Sequence, residues 1–311
     1  MTEPMDPQTP AEVLDEFSPA AALGEKICPF PGEGDLRSRL EAARYLMAPM
    51  AGVTDAAYRL MARRAGAGLA YTEMVSVAGI HYGGETGGQK TWELVLPHDP
   101  EPDIAVQLFG SKPEQFREAA SRVQERLQGR LALIDINMAC PVPKVTRKGE
   151  GSALLDDPAL AVEIVRACVE EADVPVTCKI RRSRKPGPEQ APDFAREMEQ
   201  AGASAIAVHG RTASQLYRGQ ADWDAVRHVV EAVDVPVHVG PAERLAAFEC
   251  HVRLLAATGA HLARARSLAG WYFKGMPYAA EWRNRAMACV TLEDYLALVQ
   301  VLRERLSAAG R

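Results

Sequence analysis

No apolar run in the 311-residue sequence approaches the ~20 residues needed to span a bilayer. The opening residues, MTEPMDPQTP, lack the basic and apolar regions of a secretory signal. Both absences lead to the expectation of a cytoplasmic protein without a membrane partner. The six cysteines, Cys28, Cys140, Cys168, Cys178, Cys250 and Cys289, include no CxxC pair and no His/Cys spacing suited to zinc. No metal centre is therefore expected, and free thiols in a reducing compartment fit best. The first β-type run ends in APMAG and not in a GxGxxG phosphate turn, which counts against a dinucleotide-binding sheet.

What is present is an ordinary globular composition, 47% hydrophobic and 25% charged, enough for one large domain and a small one. Charge is uneven. Residues 1–40 carry three basic and eight acidic side chains, whereas residues 241–311 carry ten basic and six acidic. The cationic C-terminal part fits either a polyanion partner or a solvated arginine-rich helix face. Residues 1–40, rich in Pro, Glu and Ala with little periodicity, read as a disordered tail.

From there, short β-type runs alternate with helical stretches. The runs are YLMAPM (45–50), LAYTEM (69–74), IAVQLFG (104–110), LIDINMA (133–139), VPVTCKI (174–180), AIAVHG (205–210) and VPVHVG (235–240). Between them lie segments such as PEQFREAASRVQERL, whose apolar residues recur every three or four positions. Seven such alternations imply parallel strands covered by helices and favour an α/β (β/α)8-type TIM barrel, with a doubly wound sheet as the competing architecture. The expected division is a barrel over 41–240 followed by a small helical domain over 241–311.

In such a barrel, chemistry collects at the carboxyl ends of the strands. There stand Pro49 and Met50, Glu73, Gln107, Asn137 and Cys140, Lys179, and His209 with Arg211. Each alone also reads as a core polar group satisfied by backbone. Several at equivalent positions of successive strands are better explained by an active site, because unpaired polar groups there are costly unless a ligand or network satisfies them.

The stretches APMAGVTD (48–55), YTEMVS (71–76), VQLFGSKPEQF (106–116), DINMACPVPKVTRKGEGSALL (135–155), PVTCKIR (175–181) and VHGRTASQLYRGQADWD (208–224) resemble, in order and spacing, the tRNA-dihydrouridine synthases. The Asn-x-x-Cys-Pro and HGRT pieces together carry the specificity, and residues 251–285 resemble the family's C-terminal helical domain, which helps grip tRNA. The resemblance implies FMN held across the barrel mouth, NADPH as reductant, and hydride transfer to carbon 6 of a flipped-out uracil while an acid protonates carbon 5. Cys140 matches that acid. Pro49, Met50 and Ala51 match the backbone lying against the flavin, and Gln107, Lys179 and His209 its polar contacts. Arg211 matches a residue near the flavin phosphate or the substrate, Asn137 a contact to the uracil edge, and Arg181 a substrate residue. Lys144, Arg147 and Lys148, on the loop after Cys140, are suited to RNA phosphates. In the C-terminal part Arg264, Arg266, Lys274, Arg283 and Arg285 are expected to add tRNA affinity.

The sequence also departs from this pattern. VPVHVG runs into PAERLAAFECHVRLL, without the Asn-Gly-Asp and Gly-Arg-Gly turns in which the family holds the FMN phosphate. An eighth βα unit is missing by this alignment. A seven-stranded, incomplete barrel is expected, its gap covered by a helix starting near Ala242 or by the N-terminal tail, with weakened FMN binding. Ala139 stands where the family usually has glycine, and the Gly-Trp that usually follows Arg181 is absent. Two functions remain open: a working FMN-dependent synthase, or a non-catalytic RNA-binding relative that has lost the cofactor.

Overall fold

The computed structural model describes residues 9–17, 27–32, 35–43, 46–83, 89–216, 218, 222–229, 248, 251–273 and 279–309. Its elements run α1 (Pro10–Phe17), α2 (Leu36–Ala43), β1 (Leu46–Met47), α3 (Ala56–Arg64), β2 (Leu69–Ala70), β3 (Val75–Ser76), α4 (Val77–Gly83), α5 (Gln89–Glu93), β4 (Ile104–Phe109) and α6 (Pro113–Leu127). They continue with β5 (Leu131–Met138), α7 (Pro143–Thr146), a 3-10 turn Gly151–Asp156, α8 (Pro158–Glu171), β6 (Val176–Arg181), α9 (Ala191–Gln200), β7 (Ala205–His209) and α10 (Trp223–Val229). The C-terminal part holds a helix described over 251–257 (α11), then α12 (Arg264–Tyr272), α13 (Ala279–Ala288) and α14 (Leu292–Ala309).

Every described strand pairing is parallel. β1 pairs with β2, and β3, β4, β5, β6 and β7 follow in that order, with a bridge from Tyr71 to Ala105 joining the two groups. Among the described residues, parallel strands in chain order, alternating with covering helices, make an incomplete TIM barrel. The expected run 69–74 is interrupted: Leu69 and Ala70 pair with β1, whereas Val75 and Ser76 pair with β4. The expected strand 235–240, the helix near Ala242 and the gap they border lie outside the described residues.

Side-chain alternation explains how the layers form. Leu108, Ile136, Cys178 and Ile206 lie in register and face the helices, within one apolar cluster that includes Phe116 of α6, Ile164 of α8 and Phe194 of α9. The alternate residues Gln107, Asp135 and Thr177 lie in register on the opposite, interior face. Helix starts are locally encoded: Asp55 accepts from the Tyr58 N–H ahead of α3, and Asp157 accepts from the Leu160 N–H with Pro158 opening α8.

The disordered tail expected over 1–40 is corrected where the structure describes that segment. Residues 10–17 and 36–43 are helical. Phe30 and Leu36 pack with Leu69, Tyr71, Ala105 and Leu133, plugging the barrel at the amino ends of its strands. Val13 and Leu14 join Leu60 of α3 and Phe248, Leu268, Trp282 and Leu298 of the C-terminal part in one core. These few apolar side chains dock the segment, although its average composition is too polar to announce a core of its own. Among the described residues, no helix is long and apolar enough to cross a membrane.

Candidate active site

Four strands and two loops build the site. At its base Asp135 is 1% exposed and accepts from Gln107 Nε2 at 2.6 Å and from Thr177 Oγ1 at 2.6 Å. Gln107 Oε1 in turn accepts from Asn137 Nδ2 at 2.7 Å. Asn137 Oδ1 accepts the backbone N–H groups of Ala139, at 3.2 Å, and Cys140, at 2.9 Å. A continuous relay thus runs from β6 and β5 through β4 and back to the backbone of Cys140. Each amide is fixed by its neighbour, so the start of the Cys140 loop has one orientation.

A turn folding back on itself completes the cysteine's surroundings. Ser152 N–H donates to the Cys140 carbonyl at 3.0 Å. Gly151, at φ +62°, passes so close that an added Cβ would sit 2.8 Å from that oxygen. Glycine is required there twice over, by the left-handed backbone and by the contact. Burial raises the Cys140 pKa; the Val142 N–H and Arg181 oppose this, and the charge of Glu150 adds to it. Burial therefore favours the neutral thiol of Cys140, a form able to donate a proton, over the nucleophilic thiolate.

Beyond Asp135 the interior becomes cationic. Lys179 lies in register with Asn137, and Arg181 with His209. Burial pushes the Asp135 pKa up to about 6, against hydrogen bonds from Thr177 and Gln107 and the charge of Lys179. Lys179 is lowered by burial, with Asp135 opposing and Arg181 assisting. His209 falls to about 4, through burial and the charges of Arg181, Lys179 and Arg211. The imidazole is thus neutral. Its Nε2 lies 3.2 Å from an Arg211 guanidinium nitrogen, which can only donate, so the ring proton is assigned to Nδ1.

The expected site residues take four different positions. Cys140, Gln107, Asn137, Lys179, His209 and Arg211 come together at this end of the strands. Pro49, Met50 and Ala51 form the neighbouring turn, in which Met50 is 39% exposed. That turn is held by Thr54, whose hydroxyl accepts the Met50 N–H at 3.1 Å, and by Glu73, which accepts the Gly52 N–H. Lys144, Arg147 and Lys148 are exposed on and after α7. Arg181 is different from the expected substrate residue: it is 3% exposed and donates to the carbonyls of Ala139 at 2.7 Å, Thr212 at 3.0 Å and Leu216 at 3.3 Å. A guanidinium committed to two loops braces them.

In the C-terminal part, Arg283 and Arg285 are exposed. Arg264 instead pairs with Asp55 and Glu73, and Arg266 donates to the Cys289 carbonyl at 3.0 and 3.2 Å. Those two are engaged by the protein itself, and Lys274 lies outside the described residues. Among the described residues, no group of three His, Cys, Asp or Glu is arranged to hold a metal.

Asp135 and Thr177 are members of this hydrogen-bonded relay that a reading of reactive side chains at strand ends misses, because they sit one layer deeper. The signal for Asp135 was its place two residues before Asn137 in an otherwise apolar strand, hence on the same face.

The family model for dihydrouridine synthase (Dus) matches residues 46–242. The probable tRNA-dihydrouridine synthase of Rhizobium leguminosarum bv. phaseoli is 35% identical over 253 residues, 81% of this chain and 77% of that protein. The tRNA-dihydrouridine synthase B of Pseudomonas aeruginosa is 42% identical over 200 residues, 62% of this chain and 56% of its own length. The probable tRNA-dihydrouridine synthase 1 of a Synechocystis species is 41% identical over 197 residues, 63% of this chain and 53% of that protein. The chain thus spans little more than half the length of the last two relatives. Matched from β1 through the seventh β-type run, and with the motif residues gathered at one end of its strands, the chain belongs to the dihydrouridine synthase family.

Proposed function

We propose that this protein is a tRNA-dihydrouridine synthase, reducing the 5,6-double bond of a uridine in tRNA with FMN as cofactor and NADPH as reductant, in the cytoplasm. The observation that carries this proposal is the Cys140 thiol, kept protonated by burial, on the loop after β5 whose backbone is tied through Asn137 and Gln107 to Asp135. The donor set beside it fits the acceptor edge of a flavin ring. The Lys179 ammonium and the His209 Nδ1–H are donors at the mouth of the site, while His209 Nε2 is taken by Arg211. Pro49, Met50 and Ala51 would lie against the ring, Gln107, Lys179 and His209 would hold its polar edge, and Arg211 would approach the phosphate. FMN, once reduced, supplies the hydride that goes to uracil carbon 6.

The protein's own chemistry is acid catalysis and orientation. Cys140 Sγ gives its proton to uracil carbon 5, which with the hydride accounts for the two hydrogens gained, and the thiolate is reprotonated from solvent. Asn137 fixes the loop that carries the thiol, and only its second amide hydrogen would be left for the uracil edge. Arg181 braces that loop against 212–216. Lys144, Arg147 and Lys148 would meet tRNA phosphates beside the thiol, joined by Arg283 and Arg285 of the helical domain, taken as 241–311.

The test is direct. Purified protein is incubated with an unmodified tRNA transcript, FMN and NADPH, and dihydrouridine is measured by mass spectrometry of the digested RNA, alongside the flavin absorbance of the protein. Product formation that depends on NADPH is expected. Tight tRNA binding with neither flavin nor product would defeat the proposal in favour of a non-catalytic RNA-binding relative.

A further inference from the structure

Outside the relay, a second cluster of charged groups joins the C-terminal helices to the barrel. Arg264, the first residue of α12, places its Nε 3.2 Å from Asp55 Oδ2 and pairs through another guanidinium nitrogen with Glu73 Oε1. Glu73 is 8% exposed, and its other oxygen accepts the Gly52 N–H. Gly52 has φ +77° and sits in the turn directly after Met50 and Ala51. Asp55 follows that turn and caps α3 through the Tyr58 N–H at 2.9 Å. His251 of α11, wholly buried, stands 3.7 Å from Asp55 Oδ1, its ring 5.4 Å from that of Tyr58.

The arrangement has a mechanical consequence. A carboxylate accepting a backbone N–H with one oxygen is held more firmly when its other oxygen is also engaged by a cation. Arg264 holds it. The forked guanidinium engages Glu73 and Asp55 together, so the middle of the 49–55 segment, through Gly52, and its end, at Asp55, are tied to one side chain from the C-terminal helices. Asp55 is well suited to this: burial opposes its ionisation, yet His251, the Tyr58 N–H and Arg264 together keep its pKa below the usual value.

We propose that Arg264 is a positioning residue for the 49–52 turn: by holding Glu73 against the Gly52 N–H, it makes the seating of the C-terminal helices set the backbone on which the flavin ring rests. The second half of this statement rests on the function proposed above; the first half does not. The position of the turn is thereby coupled to whatever loads α11 and α12, and the coupling is reciprocal.

Two variants and two readouts test it. In Arg264→Met, hydrogen exchange at the Gly52 amide, followed by NMR or fragment-resolved mass spectrometry in the flavin-free protein, is expected to accelerate about tenfold or more, the size of one charge-assisted bond removed. Amides of β4 to β6 should keep their protection. Arg264→Lys retains the charge without the fork and should fall between. Glu73→Gln, which keeps an acceptor for Gly52 but removes the ion pair, guards against a folding defect peculiar to position 264 and should also accelerate Gly52. FMN affinity, measured by fluorescence quenching, should weaken about tenfold in Arg264→Met in proportion to the exchange. Unchanged Gly52 exchange in the folded variants overturns the proposal. Faster exchange with unchanged FMN affinity overturns its link to the cofactor. A wild-type protein that binds no flavin at all would instead defeat the function proposed above and leave the Gly52 result standing.

Discussion

Replacing Asp135 by asparagine should make the protein more stable relative to wild type as pH rises, by about 3 kcal/mol between pH 4 and pH 7. Asp135 is 1% exposed and its pKa is raised from 3.8 to about 6. Between those values the folded state holds a proton that the unfolded state has released, so wild-type stability falls as pH rises through the window. At ~1.36 kcal/mol per pH unit, the interval corresponds to about 3 kcal/mol. His209 acts in the opposite sense over nearly the same range. Its pKa is lowered from 6.5 to about 4, so the folded state resists a proton that the unfolded state accepts, and stability is lost as pH falls. The two effects offset each other in the wild type, and only the difference between variant and wild type isolates the carboxyl group. The assay is urea denaturation followed by circular dichroism at half-unit pH steps, with ΔG by linear extrapolation. Parallel curves would refute the reasoning. A variant that loses ground as pH rises would show that Lys179, Gln107 and Thr177 favour the carboxylate more than burial disfavours it.

Cys140→Ala should keep the fold and any bound flavin while cutting dihydrouridine formation by the ~10²- to 10⁴-fold typical of a missing general acid; full activity by mass spectrometry would remove the thiol from the mechanism. Changing Lys144, Arg147 and Lys148 together to glutamine should flatten the log–log salt dependence of tRNA binding by roughly 0.7 to 0.9 for each phosphate left unneutralised, read by fluorescence anisotropy. An unchanged slope would assign them to solvent. Glu101→Gln should cost about 3 to 5 kcal/mol, because it leaves the Arg59 guanidinium, paired at 3.1 Å with both partners at most 1% exposed, as a buried charge without its counter-ion; a urea midpoint near wild type would contradict this.

The barrel was legible in the sequence wherever strand and helix periodicities alternated, because parallel strands need apolar helix-facing residues and the runs at 104–110, 133–139 and 174–180 supplied them. The members of the site at the strand ends were legible for the same reason: a reactive residue at the end of an apolar run stands out. Arg181 was legible as a residue and not as a role, since a guanidinium bound by the carbonyls of Ala139, Thr212 and Leu216 depends on two loops meeting, which no local pattern encodes. Arg264 was hidden in the same way, 191 residues from its partner Glu73. The N-terminal helices escaped because Phe30 and Leu36 are isolated apolar residues in a polar stretch, and only the open barrel end above them makes their burial favourable.

The order of charges along the interior bears on the function proposed above, which asks one site for both a cationic cofactor contact and an acid. Asp135 lies deepest, and Lys179, Arg181 and Arg211 stand nearer the mouth, so a ligand entering there meets a positive field focused by low-dielectric walls. The same cations act against a proton donor, because positive charge favours a thiolate. Cys140 escapes this by the fold of its loop: the turn through Gly151 presses over it, removing water, and brings the Glu150 carboxylate, 8% exposed, to the side where it counters Arg181. Arg181 bears on the site twice, since it also holds the Ala139 carbonyl just before the thiol. Its loss should therefore free the loop and raise the Cys140 pKa together, so that the rate would fall through misplacement while the thiol remained protonated.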